Sequence, residues 1–150
     1  MGTKYKGTKR EVGSLNAFIN LLRAAGSIEG RLSGNLDNFN LTTSQFGVLE
    51  ALHHLGPLSQ KEIGNKILKS GGNITKVVDN LEKKGLVTRE KNLKDRRFYN
   101  IKLTEKGNIL IEKIFPLHVK EIVKEFEILT DTELEKLRRL TRYLGKQKRD

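Results

Sequence analysis

Arg96 and Arg97 follow Asp95 in the polar run Asn92-Leu93-Lys94-Asp95-Arg96-Arg97, between two short stretches that read as strands. Guanidinium groups at the tip of a hairpin suit a narrow, electronegative minor groove of duplex DNA. A carboxylate is out of place against phosphates, so Asp95 reads as the charge-assisted partner that orients an arginine. Earlier in the chain, Ser70, Asn73, Thr75 and Lys76 gather at the start of a helical stretch. Asn bonds adenine in two places, Lys reaches guanine or phosphate, and Ser and Thr contact bases or phosphates. A helix start also offers free amides to a phosphate. Gly71 and Gly72 would let the backbone approach DNA closely, or form a plain flexible turn. Ser59 and Gln60, at the start of the preceding helix, complete this candidate DNA-binding set.

Periodicity supplies the elements that must hold these residues. Leu15, Phe18, Leu22, Ala25, Ile28 and Leu32 recur at helical spacing, which predicts a helix over about Ser14 to Ser33. Gly26, Gly30 and Gly34 form a small-residue stripe on it, either for a close helix contact or as a weakness of the helix. Asn35 to Leu41 reads as a loop. Thr42-Thr43-Ser44-Gln45 is a capping box opening a second helix with Phe46, Leu49 and Leu52 inward, stopped by Gly56-Pro57. Ser59-Gln60-Lys61-Glu62 opens a third helix, anchored by Ile63 and Ile67. A fourth runs to Lys84, with Ile74, Val77, Val78 and Leu81 inward and Gly85 as its C-cap. Leu86–Lys91 and Phe98–Leu103 read as two strands joined by the basic turn. Thr104 caps a long helical segment that Pro116 should kink or break. Thr130-Asp131-Thr132-Glu133 starts a last helix, lined by Leu134, Leu137, Leu140 and Leu144 and ended by Gly145.

Two short helices followed by a hairpin form a winged helix-turn-helix, whose second helix fits a major groove. The charge agrees. The net charge of the 150 residues is +11, and residues 59–104 hold 12 Lys and Arg against 5 Asp and Glu. Such an excess favours a polyanion. The remaining basic clusters lie at the two ends, 1–11 and 146–150, which read as frayed tails. With no cysteine, disulfides, thiolate metal sites and thiol redox sensing are excluded. No apolar run reaches membrane-spanning length and no signal peptide opens the chain, so a cytoplasmic protein without a membrane partner is expected. His53, His54 and His118 offer no metal-ligand spacing. No nucleotide loop or activated nucleophile is present, so neither a cofactor nor an enzyme is expected.

The stretch Ser70-(three residues)-Ile74-Thr75-(two)-Val78-Asp79-(one)-Leu81-Glu82-Lys83-Lys84-Gly85-Leu86-Val87-(one)-Arg89, then Asp95-Arg96-Arg97, then Leu103-Thr104-Glu105-Lys106-Gly107, resembles the multiple antibiotic resistance regulator (MarR) family of transcription factors. With the order of helices around it, the resemblance covers about residues 12–145. Leu68 departs from a turn glycine common in the family, and Gly71-Gly72 from bulkier polar residues.

The resemblance implies a mainly α fold with a small β-hairpin wing, in which a winged helix-turn-helix over 42–104 joins an all-helical dimerisation lobe over 12–35 and 105–145. It implies a homodimer that binds a double-stranded, pseudo-palindromic operator, with Arg97 as the wing arginine, Asp95 its partner and Arg96 an auxiliary backbone contact. It also implies repression relieved by a small aromatic or phenolic effector. Phe18, Leu22, Phe39, Phe46 and His53 could line the effector pocket, and each also reads as core. Two other readings stand beside this one: a sequence-tolerant architectural DNA binder, and a winged-helix module for protein or RNA. RNA binding usually needs exposed rings, and only Phe98 and Tyr99 lie near the basic tip.

Overall fold

Threonine caps fix where the helices begin. Thr8, Thr42 and Thr130 each accept a hydrogen bond from the backbone N–H three residues on, and Glu11, Gln45 and Glu133 answer with their own side chains. These reciprocal boxes satisfy donors that a helix start otherwise leaves open. The computed structural model describes residues 2–67 and 71–146, with side chains for 2–67 and 74–146. Its elements are α1 (Lys9–Asp37), α2 (Thr43–Leu55), β1 (Leu58–Ser59), α3 (Gln60–Ile67), α4 (Gly71–Lys83), β2 (Val87–Lys91), β3 (Tyr99–Leu103), α5 (Glu105–Phe126) and α6 (Asp131–Gly145).

The architecture is the mainly α, winged arrangement that the sequence predicts, with several boundaries moved. α1 starts at Lys9, not near Ser14, so part of the expected N-terminal tail is helical. The Thr8–Glu11 box that starts it lies in a polar stretch without apolar periodicity. α1 also runs through Gly34 and Asn35 into the expected loop, because Leu36 plugs into the core at 1% exposure. The break that Pro116 allows does not occur, since α5 is continuous across it. The ring there removes one backbone donor toward residue 112, and the turns on either side hold. β1, an addition to the expected elements, is two residues long and too short to carry a period.

The sheet has strand order β1-β3-β2, all antiparallel. Val87 pairs with Leu103 and Lys91 with Tyr99, which sets the wing's register, and Leu58 pairs with Ile101. Ile101 and Val87 turn inward to meet Leu49, Ile63, Ile74, Val78 and Leu81. Ile111 and Ile114 from the first half of α5 complete this core. The core beneath the winged unit therefore includes the start of the long helix. Among the described residues no helix is long and apolar enough to cross a membrane.

Two glycines are required. Gly85 follows α4 at φ 70, the left-handed cap conformation that side chains resist. Gly107, in the first turn of α5, lies so close to β2's entry that a Cβ there would sit 2.0 Å from the Leu86 carbonyl oxygen. Thr104 locks the same joint, its N–H and hydroxyl donating to the Leu86 and Gly85 carbonyls at 3.1 and 2.7 Å. Gly107→Ala is expected to destabilise the fold by about 3 kcal/mol, at the upper end for overpacking because the obstacle is backbone. For a chain of this size that lowers the thermal midpoint by roughly 6–12 °C. An unchanged midpoint in a calorimetric scan would contradict the close packing.

The other half of the molecule is left uncovered. Gly26, Gly30 and Gly34 meet nothing within 4 Å of a notional Cβ, so no partner for the stripe exists within the described residues. α6 buries none of its residues. Leu140 and Leu144 are 53% and 60% exposed, and Phe18 and Leu22 of α1 are 58% and 56% exposed.

Candidate nucleic-acid interface

The wing turn is built by short side chains bonding their own backbone. Asn92 Oδ1 accepts from Lys94 N at 2.8 Å and Asp95 N at 3.2 Å, closing the turn. Asp95 then grips Arg97. Its Oδ1 accepts from Arg97 N and Nε, both at 3.0 Å, and its Oδ2 accepts from Nη2 at 2.8 Å. The pair holds the Asp95 carboxyl below its usual pKa and the Arg97 guanidinium above its own. Arg97 remains 83% exposed in its side chain. The expected partnership between Asp95 and an arginine is thus present, and Arg97 is the arginine. Arg96 beside it is exposed, and Leu93 at the turn is fully exposed.

Ser59 spends its side chain on capping. Its Oγ accepts from Glu62 N at 3.2 Å while Glu62 accepts from Ser59 N at 2.7 Å, which pulls the Glu62 pKa down. Gln60 Nε2 donates to Thr75 Oγ1 at 2.6 Å, tying the start of α3 to the exposed face of α4. Ser59, Gln60 and Arg97 share a groove of about 540 Å³ between α3 and the wing, with Phe98, Tyr99 and Ile101 also in its walls. Thr75 and Lys76 are exposed on α4. Ser70 and Leu68 lie outside the described residues. Of Gly71, Gly72 and Asn73 only the backbone is described, as the first residues of α4.

One further residue of the sequence pattern holds this surface together. Arg89 on β2 donates from Nη2 to Asp79 Oδ1 at 2.5 Å and from Nη1 to Glu82 Oε1 at 2.9 Å. Both acids lie on α4, so Arg89 fixes the angle between that helix and the wing. Asp79 and Glu82 are three apart and share a helix face, but only the return of β2 beside α4 brings Arg89 to them.

Among the described residues, the five candidate pocket residues sit in separate surroundings. Phe46 is buried in the core and Phe39 packs against it. His53 bonds Asn108 in the first turns of α5 through Nδ1 and Oδ1 at 3.3 Å, whereas Phe46 meets α5 farther along, at His118. Phe18 and Leu22 face outward on α1. Apolar spacing marks a residue for burial without saying against what. A cavity of about 790 Å³ does open between α1, α5 and α6, lined by Leu21, Ile28, Leu36, His118, Phe126 and Leu134 among others. Of the five, Phe46 comes nearest to it, its ring 4.4 Å from that of His118.

His118 Nδ1 is buried without a hydrogen-bond partner, and burial lowers the ring's pKa, opposed by Glu50. A depressed folded-state value means the fold favours the neutral ring. Stability is complete above the ordinary histidine value of about 6.5 and declines as pH falls toward the lower folded value. His118→Phe should flatten this decline in the thermal midpoint between neutral and mildly acidic pH. An equal slope in both proteins would contradict the burial.

Comparison with known proteins agrees with this geometry. A family model described as "MarR family" matches residues 41–98, from the start of α2 to the wing tip. The HTH-type transcriptional regulator MhqR of Bacillus subtilis is 39% identical over 132 residues, covering 88% of this chain and 91% of its own. Among solved structures, Sco3205 of Streptomyces coelicolor, a MarR family transcriptional regulator in complex with DNA, superimposes with TM-score 0.83 at 22% identity, covering 95% of this chain and 90% of its own. BpsR of Bordetella bronchiseptica, whose DNA binding is regulated by 6-hydroxynicotinic acid, superimposes with TM-score 0.79 at 23% identity, covering 86% and 98%.

Proposed function

Because the chain belongs to the MarR family of DNA-binding transcriptional regulators, we propose that two copies of it bind a pseudo-palindromic operator as a repressor that a small aromatic or phenolic molecule releases. The observation that carries the two-copy reading is the uncovered apolar surface of α6 and the first half of α1. An apolar stripe that its own chain leaves open is an association surface. A groove of about 1210 Å³ separates these two helices, between Phe18 and Leu21 on one wall and Leu137, Leu140 and Leu144 on the other. A second copy's apolar helix fits its chemistry. On this reading 12–35 and 105–145 form the dimerisation lobe and 42–104 the reading lobe, with the first half of α5 shared.

Each reading lobe places α4 in a major groove and Arg97 in the adjoining minor groove. Ser59, Gln60, Ser70, Gly71, Gly72, Asn73, Thr75, Lys76 and Arg96 supply base or phosphate contacts, and Asp95 presents Arg97. The cavity beside His118 is the effector site. Its size falls in the range for small-molecule pockets, about 300–1,000 Å³. Its walls are mostly apolar, and His118, Thr43 and Arg138 offer a few polar atoms. A ligand there would touch α1, α5 and α6 at once, so it can alter how the two reading lobes are presented.

Selection of bound duplexes from a random pool tests this, repeated with phenolic ligands. The expected product is an inverted repeat whose half-sites lie about 10–10.5 base pairs apart, recovered less well with an active ligand. A pool without a motif, bound with a steep salt dependence, would instead identify a sequence-tolerant architectural binder.

A further inference from the structure

Lys84 stands between the end of α4 and Gly85, where a cation favours the helix C-terminus. Its Nζ donates to the Asn40 carbonyl and, at 3.1 Å, to Gln45 Oε1. Its own carbonyl accepts from Lys106 Nζ at 3.0 Å. Asn40 lies in the link between α1 and α2, held at φ 54. Gln45 is the buried polar residue of the described core at 6% exposure, and its Oε1 also accepts from Thr42 N at 3.2 Å. One side chain therefore ties the far end of α4 to the joint through which α1 enters the reading lobe. The same residue's backbone ties it to the first turn of α5.

We infer that Lys84 is a positioning residue that fixes the tilt of α4 against α1, and with it the separation of the two reading helices on one operator. This rests on the two-copy reading above. α4 has 13 residues and so is about 20 Å long. A tilt of about 10° about the Lys84 end moves the DNA-facing end by about 3.4 Å, the rise of one base pair. Charge-assisted bonds to a carbonyl and an amide resist that tilt, and a neutral side chain at the same place cannot make them. Sequence preference within a half-site depends on the α4 side chains, which this clamp does not touch. Spacing preference depends on the clamp.

The test measures binding to operators whose half-site spacing is changed by −1, +1 and +2 base pairs, for wild type, Lys84→Met and Lys84→Arg. Wild type should prefer one spacing by about tenfold or more, because simultaneous engagement is lost when the geometry does not fit. Lys84→Met should retain half-site sequence preference but reduce the spacing preference to within about threefold, and Lys84→Arg should restore most of it. Lys106→Met, which removes only the bond to the Lys84 carbonyl, should fall between wild type and Lys84→Met and serves as the test if Lys84→Met does not fold by circular dichroism. A folded Lys84→Met with wild-type spacing preference overturns the inference, as does a wild-type preference in Lys106→Met when Lys84→Met is unfolded. A wild type indifferent to spacing would overturn the two-copy reading first.

Discussion

Replacing Leu140 and Leu144 with aspartate is expected to leave a monomer of about 17 kDa at micromolar concentration and to weaken operator binding by about a hundredfold or more. Both side chains are more than half exposed in a single chain, and neither belongs to the core of the reading lobe. Their loss therefore removes little from one chain's folding. In an association surface, however, two buried carboxylates face desolvation without partners. Linking two half-site contacts in one particle makes the second contact effectively intramolecular, and separating the chains forfeits that gain. The measurement is sedimentation equilibrium with parallel operator titration. A double variant that remains a dimer and binds normally would place the interface elsewhere.

Arg97→Ala is expected to lower operator affinity by about tenfold to a hundredfold and to reduce the salt slope by about one unit. The guanidinium is presented ready-made. Asp95 grips it through Nε and Nη2, and the Phe98 ring lies 5.9 Å from its carbon. Little orientational freedom is left to lose on binding. The same pairing competes with DNA for the charge, so Asp95→Asn separates two effects. If orientation dominates, that variant binds more weakly. If competition dominates, it binds more tightly with relaxed discrimination at the minor-groove positions. Unchanged binding by Arg97→Ala across several salt concentrations would sink the wing assignment.

The features legible in the sequence are those that local chemistry decides. Thr42 with Gln45, Ser59 with Glu62, and Thr130 with Glu133 announce helix starts because cap and answer lie three residues apart. Gly85 announces an end, and the alternation of Tyr99, Ile101 and Leu103 announces a strand. Asp95 and Arg97 were legible for the same reason, since their contact spans two residues. What was missed needed a third dimension. Arg89 meets Asp79 and Glu82 only once β2 returns beside α4, and Lys84 meets Asn40 across 44 positions. Burial needs it as well: Phe18 and Phe46 look alike in sequence, yet one is open on α1 and the other sealed in the core. Gly107 gained its reason only when the Leu86 carbonyl appeared beside it.

Hydroxyl-radical footprinting on the selected operator tests most directly that two winged helix-turn-helix units read it together. Two protected minor-groove blocks related by the operator's two-fold axis are expected, both weakened by Arg97→Ala while the half-site sequence preference persists. A single asymmetric block, or uniform protection unaffected by Arg97→Ala, would contradict it.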